Sequence, residues 1–299
     1  MPDYFNPHVI ATIKNLELRS TRLAESFMAG MHKSRMLGIS SDFAQHRQYV
    51  PGDDTKHLDW KVFAKTDRYF IKQFEAETNL AVYFLLDTSN SMFFKSDEAA
   101  MSKFEYAATV VGSLAYLLML QKDAFGLVLF DEKVHSNLAA KGSGGHYRNM
   151  LNVLEQARPG GKTNVNSALF ALVPQLKRRG LVVLVTDFVD ETDRLAMGFG
   201  QMSFRKQDVA AFHIEDPVER DFPFAGQTIF LGPEQEGRLL CEPRDLRRAY
   251  LSARRQHLQV IRQVCQQFRY DVEDLHTDAR MDEALTRFLS VRLARRRRR

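Results

Sequence analysis

The chain has 299 residues, 44% hydrophobic and 26% charged, with a formal net charge of +5, proportions ordinary for a globular protein of one large or two small domains. Arg295–Arg299 account for all of that excess, so the basic character is a tail and not a nucleic-acid-binding face. Cys241 and Cys265 give no disulfide framework, no apolar run nears the roughly 20 residues of a membrane span, and no signal peptide leads the chain, which predicts a cytoplasmic protein.

Residues 1–35 are predicted helical. Pro7 suits a helix start, and Val9, Ile10, Ile13 and Leu16, then Leu23, Phe27 and Met31, recur at helical spacing. The basic residues between them form no one-sided stripe, so the helix is expected to dock on the protein and not on a membrane surface. From Gly38 to Ala64 the chain reads G-I-S-S-D-F-A-Q-H-R-Q-Y-V-P-G-D-D-T-K-H-L-D-W-K-V-F-A. Pro51-Gly52-Asp53-Asp54 is a turn. Asp53, Asp54 and Asp59 face Arg47, Lys56, Lys61 and Lys65, an arrangement read first as an ion-pair network with Trp60 as core anchor, and second as a catalytic acid pair. Tyr69–Glu77 alternates as a half-exposed strand would.

Leu80–Leu86 are all apolar or aromatic, the pattern of a strand buried on both faces. It ends at Asp87 and delivers Asp87, Ser89 and Ser91, at i, i+2 and i+4, to the following loop. One carboxylate with two hydroxyls suits a hard divalent cation such as Mg²⁺. Ser96-Asp97-Glu98 is expected to cap a helix carrying Phe104, Ala108, Val111, Leu114, Ala115 and Leu118. A strand at Phe125–Phe130 with a hairpin partner at Lys133–Ala139 comes next, then a flexible loop at Lys141–Gly145 and helices near 146–157 and 165–178. Thr163 lies between these helices in G-G-K-T-N. A second apolar strand, L-V-V-L-V-T-D, spans Leu181–Asp187 and ends at Asp187. A helix near 193–204, a strand at Val209–Ile214, a β insertion at about 217–242, a helix at Arg244–Phe268, a strand at Tyr270–Leu275 and a helix at Asp282–Leu293 complete the pattern. Strands alternating with helices imply a doubly wound, mostly parallel sheet.

Three reaction centres are excluded. Gly161-Lys162-Thr163 is not a Walker A loop, because Gln156 stands where its first glycine belongs and a helix precedes it. Asp87 lacks the acid two residues on that an aspartate-nucleophile phosphatase of the haloacid dehalogenase type needs, since that residue is Ser89. The nine histidines show no metal-ligand spacing, and no Ser, Cys or His sits in a nucleophile elbow.

D-T-S-N-S resembles the D-x-S-x-S signature of von Willebrand factor A domains, which implies a metal-ion-dependent adhesion site completed by Thr163 and Asp187. Asp42, Arg47, Tyr49, Pro51, Gly52, Asp53, Asp54, Asp59, Trp60 and Ala64 resemble the hallmark of the domain-of-unknown-function-58 family, with Lys56 where members commonly carry arginine. Together these resemblances imply an extension over 1–78, a von Willebrand A-like domain over 79–294, and a basic tail over 295–299. They imply Mg²⁺, or Mn²⁺ or Ca²⁺, held by Asp87, Ser89, Ser91, Thr163 and Asp187, with a position open to a partner's carboxylate. Relatives of this kind accompany MoxR-type AAA+ ATPases. The expectation is an adaptor and not an enzyme, with such an ATPase or its client as partner. The alternative is a metal-dependent hydrolase using Asp53 or Asp54 as base.

Overall fold

The computed structural model describes residues 2–33, 46–48, 69–72, 81–176, 179–189, 192–231 and 237–297. It divides into two units, one of Met1–Met28 with Leu80–Arg299 and one of Ala29–Asn79. The chain up to Met28 groups with the large unit, and the segment that groups by itself lies within the extension expected over 1–78 but for Asn79. Of the family-motif segment, only Arg47 lies among the described residues. It sits in β1 (His46–Gln48), which pairs antiparallel with β2 (Phe70–Lys72), Arg47 opposite Ile71. Tyr49, Pro51, Gly52, Asp53, Asp54, Asp59 and Trp60 lie outside them.

The single helix expected at the N-terminus is two, α1 (Pro7–Ile10) and α2 (Leu16–Lys33). Asparagine side chains mark the two starts. Asn6 accepts from the His8 N–H at 2.9 Å, and Asn15 accepts from the Leu18 N–H at 2.8 Å, each offering the backbone a helix start. On α2, Leu16, Leu23, Ala24 and Phe27 are buried. The Ser113 hydroxyl donates to the Ser20 carbonyl at 3.0 Å. A Cβ on Gly112 would lie 2.4 Å from Ser20 Oγ, so that glycine permits the close helix contact.

Six strands build the central sheet, ordered from Asp271–His276 at one edge through Asp208–Glu215, Leu181–Thr186, Ala81–Asp87 and Ala124–Phe130 to Val134–Lys141 at the other. β3 (Ala81–Asp87) is flanked by β4 (Ala124–Phe130) and β6 (Leu181–Thr186), both parallel to it. β7 (Asp208–Glu215) and β10 (Asp271–His276) continue the parallel array. β5 (Val134–Lys141) runs antiparallel along β4, and its alternating exposure is that of an edge strand. Helices cover both faces, which is why Val82–Leu86 and Leu181–Val185 read as unbroken apolar runs. This is the von Willebrand A-type, Rossmann-like arrangement.

The helices are α3 (Lys103–Leu120), α4 (Gly144–Gln156), α5 (Val165–Leu172), α6 (Thr192–Phe204), α7 (Pro217–Asp221), α8 (Pro243–Gln267) and α9 (Met281–Arg297). Leu169 of α5, Phe199 of α6 and Ile261 of α8 share one core cluster with Leu85 and Leu184 of the sheet. Among the described residues α3 alone is long and apolar enough to cross a membrane, and 78% of it is buried within the fold. Its cap differs from expectation. Ser102 and Glu105 form a reciprocal capping box, while the Ser96 N–H donates to Asp216 Oδ2 at 3.1 Å.

Smaller differences have local causes. Ser143 caps α4, so the helix starts inside the expected glycine loop. α5 ends at Leu172 and a 3₁₀ turn carries Pro174, because proline cannot continue the helix. The β insertion contains α7, capped by Asp216, before its hairpin of β8 (Thr228–Leu231) and β9 (Arg238–Cys241). α9 runs on through Arg297, so the first three arginines of the tail are helical.

Candidate metal-binding site

Asp87 closes β3 at the carboxyl edge of the sheet, where ligands gather in doubly wound folds. It is fully buried. Its Oδ1 accepts the Ser89 N–H at 2.8 Å, and its Oδ2 accepts the hydroxyls of Thr163 at 3.0 Å and Thr186 at 2.6 Å. The hydroxyls of Ser89 and Ser91 lie 3.1 Å apart and bond each other. Burial, followed by the charge of Asp187, pushes the Asp87 carboxyl up to about 7, against the hydrogen bonds of Thr186 and Ser89.

Thr163 arrives on a loop pinned by main-chain bonds. Gly160 N–H donates to the Thr88 carbonyl at 2.8 Å, and Asn90 N–H to the Gly161 carbonyl at 3.2 Å. Asp131, just past β4, accepts the Gly161 N–H at 2.8 Å and the Lys133 N–H at 2.9 Å. It also pairs with the His135 ring at 2.7 Å. Asn164 then caps α5 by accepting from the Ser167 N–H at 3.2 Å.

Asp187 follows β6 directly and is buried. The next residue, Phe188, takes a left-handed φ of 56°, a costly conformation for a bulky side chain that turns the chain sharply at the strand end. Its N–H donates to Thr186 Oγ1 at 3.1 Å. Asp187 Oδ2 accepts from Lys103 Nζ at 2.8 Å, whereas Oδ1 is buried with no hydrogen-bond partner. Burial opposes ionisation of Asp187, but the Lys103 ammonium more than offsets it and holds the carboxyl below its ordinary range.

Lys103 is the residue that sequence reasoning missed. It is 1% exposed and also donates to Glu219 Oε1 and Oε2 at 2.7 and 3.0 Å. Burial alone would depress its pKa; Asp187 and Glu219 reverse that and raise it. Burial lifts the Glu219 carboxyl above its ordinary value in spite of Lys103. The expected cap at Ser96-Asp97-Glu98 hid it; only the observed start makes Lys103 the first residue of α3, where the helix dipole disfavours a cation. Thr186 was also passed over, as the last residue of an apolar run.

The structure therefore brings all five sequence-predicted residues to one edge of the sheet. Among the described residues no group of three or more His, Cys, Asp or Glu could hold a metal, so the donor set here is two carboxylates with three hydroxyls. That set suits a hard cation. Two adjacent buried carboxylates, one with an orphaned oxygen, are what a bound cation would relieve.

The chain matches the family described as protein of unknown function DUF58 over residues 45–260. It is 24% identical to uncharacterized protein Mb1516 of Mycobacterium bovis over 235 residues, 78% of this chain and 73% of that one. An aerotolerance-related membrane protein from Bacteroides fragilis superposes with a TM-score of 0.50 at 15% identity, over 70% of this chain and 97% of that one. That likeness is one of fold. The conserved hypothetical protein BatB from Bacteroides thetaiotaomicron gives a TM-score of 0.49 at 15% identity, over 71% of this chain and 97% of that one. Since the family match takes in most of the chain, the protein belongs to the DUF58 family.

Proposed function

We propose that the protein is a cytoplasmic adaptor that captures another protein through a divalent cation, Mg²⁺ in the first instance, at the carboxyl edge of its sheet. The observation that carries this reading is the gathering of two buried, mutually repelling carboxylates, Asp87 and Asp187, with the Thr163 hydroxyl on Asp87, the paired Ser89 and Ser91 hydroxyls alongside, and Asp187 Oδ1 without a hydrogen-bond partner. When bound, the cation supplies positive charge and a coordination position for a partner's carboxylate. The protein's own residues do the rest. Asp87 supplies charge and is fixed by three hydrogen bonds. Ser89 and Ser91 add neutral oxygens that leave the charge of a hard cation only partly cancelled. The pinned loop at 160–163 sets the position of Thr163.

Binding is favoured over catalysis by one feature. The Ser89 and Ser91 hydroxyls hydrogen-bond each other and lie beside the Asp87 and Asp187 carboxylates, an oxygen-rich setting that suits the ligands of a shared hard cation. Asp53 and Asp54, the bases of the hydrolase reading, lie outside the described residues. The resemblance of the Arg47–Trp60 segment to proteins that accompany MoxR-type AAA+ ATPases makes such an ATPase, or its client, the proposed partner.

Affinity capture from cytosol, with the purified protein as bait, tests this. The ATPase or its client is expected on the bait in Mg²⁺ and absent in EDTA. Equal retention in both would move the interface away from the cation site.

A further inference from the structure

We propose that Lys103 is a built-in counter-ion of the candidate cation site, and that its positive charge sets how tightly the site holds a divalent ion. This rests on the reading of the site given above and adds to it a residue outside the five oxygen donors.

Lys103 occupies a costly place. An ammonium buried to 1% exposure loses its hydration, and the first turn of α3 presents the positive end of the helix dipole to it. Two carboxylates compensate. Asp187 Oδ2 lies 2.8 Å from Nζ, and Glu219 closes on it with both oxygens, at 2.7 and 3.0 Å. Glu219 is itself fixed, since its Oε2 accepts the Asp216 N–H at 3.1 Å. Asp216 in turn accepts the Val218 and Ser96 N–H groups at 3.0 and 3.1 Å. The ammonium is thus held on one oxygen of Asp187 by a rigid outer clamp. The other oxygen, Oδ1, is left buried and unpartnered.

Two consequences follow from the charges. Without a divalent ion, Lys103 balances Asp187 and keeps the pocket folded. With one held by Asp187, the ammonium on Oδ2 would compete for the charge of the same carboxylate and oppose the ion. Glu219 acts in the opposite direction, because it offsets Lys103 from the far side. A purely structural lysine makes a different forecast: loss of either partner of the pair would loosen the site and weaken the ion.

Calorimetric titration with Mg²⁺, at fixed pH and salt, separates the two. Lys103→Met, and Lys103→Gln as a gentler variant that keeps an amide donor, are expected to bind Mg²⁺ about tenfold tighter than wild type. Glu219→Gln is expected to bind about tenfold weaker, and Lys103→Met combined with Glu219→Gln to return near wild type. Circular dichroism establishes that each titrated variant is folded. In EDTA the Lys103 variants are expected to melt below wild type, with Mg²⁺ recovering more of that loss than it adds to wild type. Folded Lys103 variants that bind no tighter than wild type, or Lys103 and Glu219 changes that both weaken the ion, would overturn the inference. Binding by the Lys103 variants but not by wild type would support it in its strongest form. If neither wild type nor any variant binds, the cation reading itself fails and the inference falls with it.

Discussion

Replacing Asp87 by asparagine is expected to weaken Mg²⁺ binding roughly 100-fold or more, about 2.8 kcal/mol at about 1.4 kcal/mol per decade, while the melting temperature stays within a few degrees of wild type. The two halves of this expectation have separate causes. The carboxylate supplies charge that an amide cannot, so the effect on the ion is large. The fold asks only for acceptors, from the Ser89 N–H and the Thr163 and Thr186 hydroxyls, and an amide oxygen keeps part of that set. Burial beside Asp187 already pushes Asp87 up to about 7, so a neutral group there costs the fold little. Calorimetric titration of the two proteins reads the first half and thermal melting the second. Undiminished binding by Asp87→Asn would remove Asp87 from the site.

Gly160→Ala is expected to cost about 3 kcal/mol of stability, through overpacking and the loss of hydrogen bonds to a carboxylate. A Cβ at this position would sit 1.9 Å from Asp131 Oδ2, with Asp131 Cγ at 2.8 Å. Asp131 cannot swing away freely. It is buried, and its two oxygens hold the Gly161 and Lys133 N–H groups and the His135 ring. The displaced loop carries Thr163, so Mg²⁺ affinity should fall together with the melting temperature. Gly161→Ala is the built-in control. Its nearest new neighbour is Glu132 Cδ at 3.2 Å, toward the end of an exposed side chain that can move, so a small effect is expected. Equal losses from the two substitutions would show that the loop is not pinned through Asp131.

Much of the fold was legible because the central strands are buried on both faces. Leu80–Leu86 and Leu181–Val185 could be read as strands from composition alone, and each ended at the acidic residue that the structure places at the sheet edge. The turn from Thr186 to Phe188 was less legible, since nothing in the sequence marks a phenylalanine for a left-handed φ. Helix starts were harder still. Ser96-Asp97-Glu98 was expected to cap α3, yet the Ser96 N–H bonds Asp216, 120 residues away, and the cap is Ser102 with Glu105. The break between α1 and α2 was hidden for a local reason: Asn15, whose side chain accepts the Leu18 N–H, sits inside a helical period.

The donor residues of the site were legible because their spacing is local on two strand ends and one loop. Their surroundings were not. Lys103 and Glu219 are separated by 116 residues, and each alone reads as an ordinary charge near a helix start. Only the folded chain shows a buried ammonium between two carboxylates, one of which belongs to the predicted donor set.

The most direct test of a cation at this edge is anomalous scattering from crystals grown with Mn²⁺. The expected result is one dominant manganese peak bounded by Asp87, Ser89, Ser91, Thr163 and Asp187. An occupied manganese elsewhere, with Lys103 alone neutralising Asp187, would contradict it.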